Sequence, residues 1–239
     1  MKILVVGATG ATGQLLVKQL LGRKNEVVVI VRPQSKLPQF DNKSDNLSVV
    51  SASVLDISSA EMIEHVNGCD AVVSCLGHNL SLKGVYGRPC RLVTDATRLL
   101  CSAIEAGKSK KPTKFILMNT AGNSNRDLNE SLSFSEKCVL GLIRFLLPPQ
   151  ADNEKAADYL LTSIGKNNKM IEWAAVRPDT LVDEVSVTDY EVYQSPIRSA
   201  IFNPGRTSRI NVGHFIADLI TDDNKWKKWK GQMPVIYGR

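Results

Sequence analysis

Near its start the chain reads Ile3-Leu4-Val5-Val6-Gly7-Ala8-Thr9-Gly10-Ala11-Thr12-Gly13-Gln14, and helix-forming residues continue to Leu21. A short apolar strand, three glycines at a spacing of three and then a helix form the order that a pyrophosphate needs. Gly7 lets the chain turn sharply off the strand, and Gly10 carries no Cβ to block close approach by phosphates. Gly13 lets the helix pack tightly on the strand, and the helix N-terminus offers free N–H groups to an anion. A glycine triplet alone says little. Its place between a β-branched run and a helix is the context that makes it a dinucleotide motif.

The rest of the chain repeats this alternation of apolar β-rich runs with helical segments. The runs 2–6, 26–31, 47–52, 71–75, 114–119, 172–176 and 235–237 read as strands. Segments 14–21, 60–66, about 91–105, about 151–164 and 212–220 read as helices. The strands are continuously apolar rather than alternating, as expected when helices cover both sheet faces. The expected fold is α/β: a doubly wound parallel sheet of the Rossmann type in three αβα layers, forming one domain over residues 1–239. One stretch, about 122–150, breaks the rhythm. Its polar, turn-rich start (Asn123-Ser124-Asn125-Arg126-Asp127) leads into the apolar Cys138–Leu147, closed by Pro148-Pro149. It follows the strand ending at Asn119, where ligands of such sheets lie, so it is either a surface insertion with one packed helix or a lid over a substrate pocket.

Composition narrows the function classes. Hydrophobic residues make up 43% of 239, ordinary for a globular protein, and no run approaches the length of a membrane span. No secretory signal pattern is visible at the start. Five cysteines without a CxxC pair read as reduced thiols of a cytoplasmic protein, and three scattered histidines offer no metal-ligand spacing. The net charge is +6, with basic clusters at Lys108, Lys110 and Lys111 and at Lys225, Lys227, Lys228 and Lys230. No basic stripe interleaves with aromatics, so no nucleic-acid partner and no membrane partner is expected; a small-molecule substrate is. Either a monomer or a homodimer is compatible with the sequence.

The second strand speaks to the cofactor. A dinucleotide fold that prefers NAD places Asp or Glu at its end, to accept hydrogen bonds from the ribose 2′-OH. This chain has Val31-Arg32-Pro33-Gln34-Ser35 there. Arg32 can instead fork onto a 2′-phosphate and stack on adenine, with Ser35 and Lys36 as further donors, so NADP(H) is expected over NAD(H). Asp56, after the third strand, can take the adenine amine with Leu55 or Ile57 against the ring, or it can cap the following helix. Gly77, after the fourth strand, would let the chain pass close to the ribose.

With these residues in view the chain resembles the atypical short-chain dehydrogenase/reductases, in particular the single-domain NAD(P)H-binding branch of flavin/biliverdin reductase-type and NmrA-like proteins. The resemblance is carried by Gly7 to Gly13, Val31-Arg32-Pro33, Asp56, Cys75-Leu76-Gly77 and Met118-Asn119-Thr120-Ala121. It continues through Pro148-Pro149, Trp173-Ala174-Ala175-Val176-Arg177-Pro178 and Ser208 to Phe215. It implies that Gly7, Thr9, Gly10, Ala11, Thr12, Gly13, Arg32, Asp56, Ile57, Leu76, Gly77, Asn119 and Thr120 line the cofactor, with Pro178 near the nicotinamide.

The departure from that family concerns catalysis. Its typical members pair Tyr and Lys at a Tyr-x-x-x-Lys spacing, which puts both on one helix face, where the lysine lowers the tyrosine pKa. Lys155 sits where that lysine belongs, but Ala151 occupies the tyrosine position, and Tyr159 points one turn away. Thr120 and Lys155 are therefore the candidate catalytic residues. Thr120 would orient the acceptor or the carboxamide, and Lys155 would reach the ribose hydroxyls. Two functions follow. One is a reductase whose planar or hydrophobic acceptor (flavin-, quinone- or carbonyl-like) takes its proton from solvent. The other is a non-catalytic NADP(H)-binding sensor of the NmrA-like type.

Overall fold

A computed structural model describes residues 1–35, 45–78, 85–109, 111–128, 130 and 133–239. Lys36 lies outside the described residues. Along the chain run β1 (Lys2–Val6), α1 (Ala11–Gly22), β2 (Glu26–Val31), β3 (Leu47–Ser51), α2 (Ser59–Val66), β4 (Ala71–Ser74), α3 (Leu92–Ala106) and β5 (Thr113–Met118). There follow α4 (Phe134–Leu146), α5 (Pro148–Tyr159), β6 (Ile171–Pro178), β7 (Thr180–Val182), β8 (Tyr190–Tyr193), β9 (Arg206–Ser208), α6 (Arg209–Thr221), α7 (Asp223–Trp229) and β10 (Val235–Gly238).

Eight strands form one sheet in the order β3-β2-β1-β4-β5-β6-β10-β8, parallel except for β8, which runs antiparallel to β10. The chain builds outward from β1 to β3, then returns to lay β4 on the other side of β1. That reversal opens a crevice at the carboxyl ends of β1 and β4, the place where ligands of such sheets bind.

Because side chains alternate along a strand, each apolar strand feeds two cores. Leu4, Val6, Val72, Phe115, Leu117 and Trp173 face α2, α3 and α5, whereas Ile3, Val5, Val73, Ile116, Ala174 and Val176 face α1, α6 and α7. Phe115 is fully buried, worth up to about 3 kcal/mol relative to exposure. The three αβα layers expected from the continuously apolar strands are present.

Helix starts explain where the sequence reading shifts. Ser58, not Asp56, caps α2: its hydroxyl accepts from Glu61 N–H while Glu61 reaches back to Ser58 N–H at 3.0 Å. Pro148 and Pro149 close the apolar run at the end of α4, at Leu146, and are also the first two residues of α5, where a missing N–H costs nothing. Asp222 accepts from Asn224 and Lys225 N–H groups and starts α7, a helix absent from the sequence reading. Trp226 and Trp229 of that helix are buried. Trp226 Nε1 donates to Glu172, which also pairs with Lys230 at 2.6 Å. Burial pushes the Glu172 carboxyl up, but Lys230 and Trp226 outweigh it and hold the group below its usual range. Among the described residues no helix is long and apolar enough to cross a membrane.

Candidate functional site

The three glycines after β1 do different work. Gly7 has φ +80, and a Cβ on it would come within 2.5 Å of the Cys75 backbone carbonyl, so the loops after β1 and β4 touch only because it is glycine. A Cβ on Gly13 would run into the Gly7 carbonyl oxygen. Gly10 differs. Its φ of −72 suits any residue, it is exposed, and the nearest atom to an added Cβ is Gly7 O at 3.2 Å. The fold demands glycine at 7 and 13 but makes no such demand at 10.

Next to this loop, α1 begins with no side-chain cap and no acidic residue in its first turn. In contrast, α2, α4 and α6 carry serine caps at Ser58, Ser133 and Ser208. The N–H groups at Ala11, Thr12 and Gly13 are thus left for an anion. Thr9 is half-buried beside them, whereas Thr12 is buried. A dinucleotide pyrophosphate fits this cradle.

Arg32 projects from the end of β2, exposed, with its carbonyl closing a turn onto Ser35 N–H at 2.8 Å. Asp56 is exposed after β3, and Leu55 beside it is half-buried. Ile57 packs into the core under α2, which leaves Leu55 as the more accessible of the two apolar neighbours. After β4, Leu76 is half-buried and Gly77 exposed with open space around its Cβ position.

His78, the next residue, was not singled out from sequence. Its Nε2 donates to Asp152 at 2.8 Å, and both side chains are nearly fully buried. The Asp152 carboxylate also accepts from the N–H groups of Val93 and Thr94 at 2.8 and 3.0 Å. Asp152 therefore caps α3 from α5, where Arg91 offers no side-chain cap. One carboxylate ties the β4 loop, α3 and α5 together.

At the end of β5, Asn119 is buried and both ends of its amide are engaged. Its Nδ2 donates to Asn153 O at 3.0 Å, and its Oδ1 accepts from Thr120 N–H and the Asn123 amide. It shapes the loop rather than presenting a free amide. Thr120 is half-buried, with its hydroxyl accepting from Gly122 N–H at 3.3 Å. Lys155 is exposed on α5, one turn from the buried Asp152. Tyr159 packs against the core with the Arg98 guanidinium over its ring, and burial pushes its hydroxyl pKa up. Pro178 is buried at the end of β6, and its carbonyl accepts from Ala121 N–H at 2.9 Å, so the ends of β5 and β6 stay joined beyond the sheet.

Arg177 is the other functional residue that went unread, although it lies in a quoted motif. It has no exposed surface. Its guanidinium meets both Glu130 oxygens at 2.9 and 2.7 Å, Asn123 O at 2.6 Å and Met233 O at 2.7 Å. A charged residue inside an otherwise apolar strand was the available signal, because buried arginines are paired. Its effect is to fasten the segment after β5 to the sheet. That segment forms one wall of a cavity of about 530 Å3 whose other wall is residues 195–201, with Ala121, Gly122, Leu128, Leu140, Ile197 and Arg198 among its lining.

Residues 7–223 match a family model described as NAD(P)H-binding. The chain belongs to this NAD(P)H-binding family. Among curated relatives, divinyl chlorophyllide a 8-vinyl-reductase, chloroplastic, of Arabidopsis thaliana is 24% identical over 237 residues, covering 93% of this chain and 51% of that protein. The Cucumis sativus enzyme of the same name aligns over 28% of its length, so the chain spans about half or less of the curated relatives it matches. Among solved structures, a short-chain dehydrogenase/reductase from Veillonella parvula in complex with NADP superposes with a TM-score of 0.68 at 14% identity, covering 99% of this chain and 94% of that one. ChuY, an anaerobillin reductase from Escherichia coli O157:H7, gives 0.64 at 17% identity, covering 100% and 97%. At these identities the family's structures establish the shared fold.

Proposed function

We propose that this chain is an NADPH-dependent reductase that acts on a small planar or apolar acceptor held in the 530 Å3 cavity, without a dedicated tyrosine acid. The observation that supports it most is the position of that cavity. Its lining begins at Ala121, one residue beyond Thr120, and Ala121 is hydrogen-bonded to Pro178. The acceptor space thus adjoins the segment that the family resemblance places beside the nicotinamide, and its volume suits a small organic ligand. Bound NADPH would supply the hydride, and water the proton that completes a two-electron reduction.

The chain's own residues then have separate tasks. The backbone from Gly7 to Gly13 holds the pyrophosphate. Arg32, which has no ion-pair partner among the described residues, forks onto the 2′-phosphate and sets the preference for NADP(H). Asp56 takes the adenine amine. Thr120 orients the carboxamide or the acceptor, and the exposed Lys155 reaches the ribose hydroxyls. Tyr159 has no part, since it is turned into the core. The vinyl-reductase and anaerobillin reductase names among the similar proteins are in keeping with reduction of a conjugated acceptor.

The test is steady-state oxidation of NADPH with FMN, a quinone or a carbonyl compound as acceptor. Turnover is expected with at least one. Tyr159→Phe should leave it within a few-fold, since loss of a true general acid would cost roughly 10²–10⁴-fold. Arg32→Asp should weaken NADP binding by about 10- to 100-fold and NAD binding far less, since a hydrogen bond to a charged group is worth about 1.5–3 kcal/mol. Tight NADPH binding with no turnover of any acceptor would replace the reductase by the NADP(H) sensor.

A further inference from the structure

We propose that Arg198 anchors an anionic group, a carboxylate or phosphate, on the acceptor that fills the cavity, a proposal that rests on the reductase function above. The described lining of the cavity holds three charged side chains: Glu130, Glu136 and Arg198. The two carboxylates are spent within the protein. Glu130 gives both oxygens to Arg177 and also accepts from Asn125 N–H at 2.7 Å. Glu136 is held by the hydroxyls of Ser199 and Ser133 and by Ser133 N–H, which keep its carboxyl below the usual range.

Arg198 has no carboxylate partner among the described residues. Its guanidinium instead lies over the ring of Tyr237, 5.7 Å from the centroid. The other carboxylates of this region are already committed. Glu191 is taken by Arg239 and Tyr193, both at 2.6 Å, and Asp179 accepts from the N–H groups of Thr180 and Gly205. Tyr237 cannot yield, because Gly205 packs so tightly on its ring that an added Cβ there would overlap it. A guanidinium that rests over a ring and meets no carboxylate still has N–H donors to offer, and its fork grips carboxylate or phosphate bidentately. The surrounding wall mixes apolar side chains (Leu128, Leu140, Pro196, Ile197 and Ile201) with the hydroxyls of Ser124, Ser195 and Ser199. Among the described lining residues Arg198 is the one cation, and beside the apolar part of the wall it would orient a ligand with a planar or apolar body and one charged end.

FMN and riboflavin share one reducible ring and differ by a phosphate, so their relative kcat/KM reads the anchor alone. In the unmodified chain the ratio should favour FMN, and Arg198→Gln should lower the ratio about 10- to 100-fold. Arg198→Lys should recover part of it, because the charge returns without the fork. Arg198 is exposed, so unchanged melting temperatures are expected for both variants. Anthraquinone-2-carboxylate against its carboxamide repeats the comparison for a carboxylate, and the pair with the larger Arg198-dependent ratio names the group. An unchanged ratio with turnover intact would overturn the anchor and leave the reductase standing. If the unmodified chain turns over no flavin, quinone or carbonyl acceptor, the reductase function fails. Quenching of flavin fluorescence then decides the anchor separately: preferential binding of FMN that Arg198→Gln abolishes supports it, and equal binding of both flavins overturns it.

Discussion

Replacing Gly10 by valine is expected to abolish NADP(H) binding while leaving the fold intact. At φ −72 and ψ 159 the Gly10 backbone is one that valine adopts readily. The closest atom to its new Cβ is Gly7 O at 3.2 Å, a contact relieved by a shift of a few tenths of an ångström. The two other glycines of the loop offer no such separation of effects. A Cβ at Gly7 or Gly13 meets backbone at once, so those variants would disturb the turn itself. At Gly10 the branched side chain fills the space in front of the uncapped N-terminus of α1, where the phosphates belong. Titration with NADPH and far-UV circular dichroism on one sample check the outcome. A loss of at least 100-fold in affinity with an unchanged spectrum is expected; retained affinity would mean that the glycine loop is only a turn.

Arg177→Met should destabilise the chain by about 3–5 kcal/mol, because it leaves the buried Glu130 carboxylate without its counter-ion. It also strips hydrogen bonds from Asn123 O and Met233 O. For a chain of this length that corresponds to a fall of roughly 6–20 °C in Tm. The damage should fall unevenly. Asn123 and Glu130 belong to the segment that walls the acceptor cavity, whereas the cradle at Gly7 to Gly13 lies beyond β4 and β5. NADPH affinity, measured well below the variant's Tm, should therefore survive better than acceptor turnover. The double variant Arg177→Met with Glu130→Leu should regain much of the lost stability, since an apolar pair of similar size needs no partner. A single variant as stable as the unmodified chain would show that the buried pair contributes nothing.

The parallel sheet was readable because its signal is local and repeated. Runs such as Val27 to Val31 and Phe115 to Leu117 are apolar on both faces, and only strands covered on two sides can be so. The elements that escaped reading depend on distant partners. Tyr190 to Tyr193 is a strand because β10 pairs with it, and Asp223 to Trp229 is a helix because Trp226 and Trp229 reach the core. The site divides in the same way. Gly7, Gly10, Gly13 and Arg32 could be read as candidates from sequence because backbone and a single charge at a fixed distance along the chain are what a phosphate requires. The bond from Asp152 to His78, the grip of Arg177 on Glu130 and the stacking of Arg198 on Tyr237 join residues 39 to 74 positions apart.

By itself, then, the sequence determined the alternation of strand and helix and the glycine turn between β1 and α1, since periodicity and glycine spacing act within a few residues. Only the tertiary structure decided which charges are spent and which remain free. A carboxylate or guanidinium looks the same in sequence whether or not a partner has been folded against it, and burial with pairing, not residue type, sets what it can still bind.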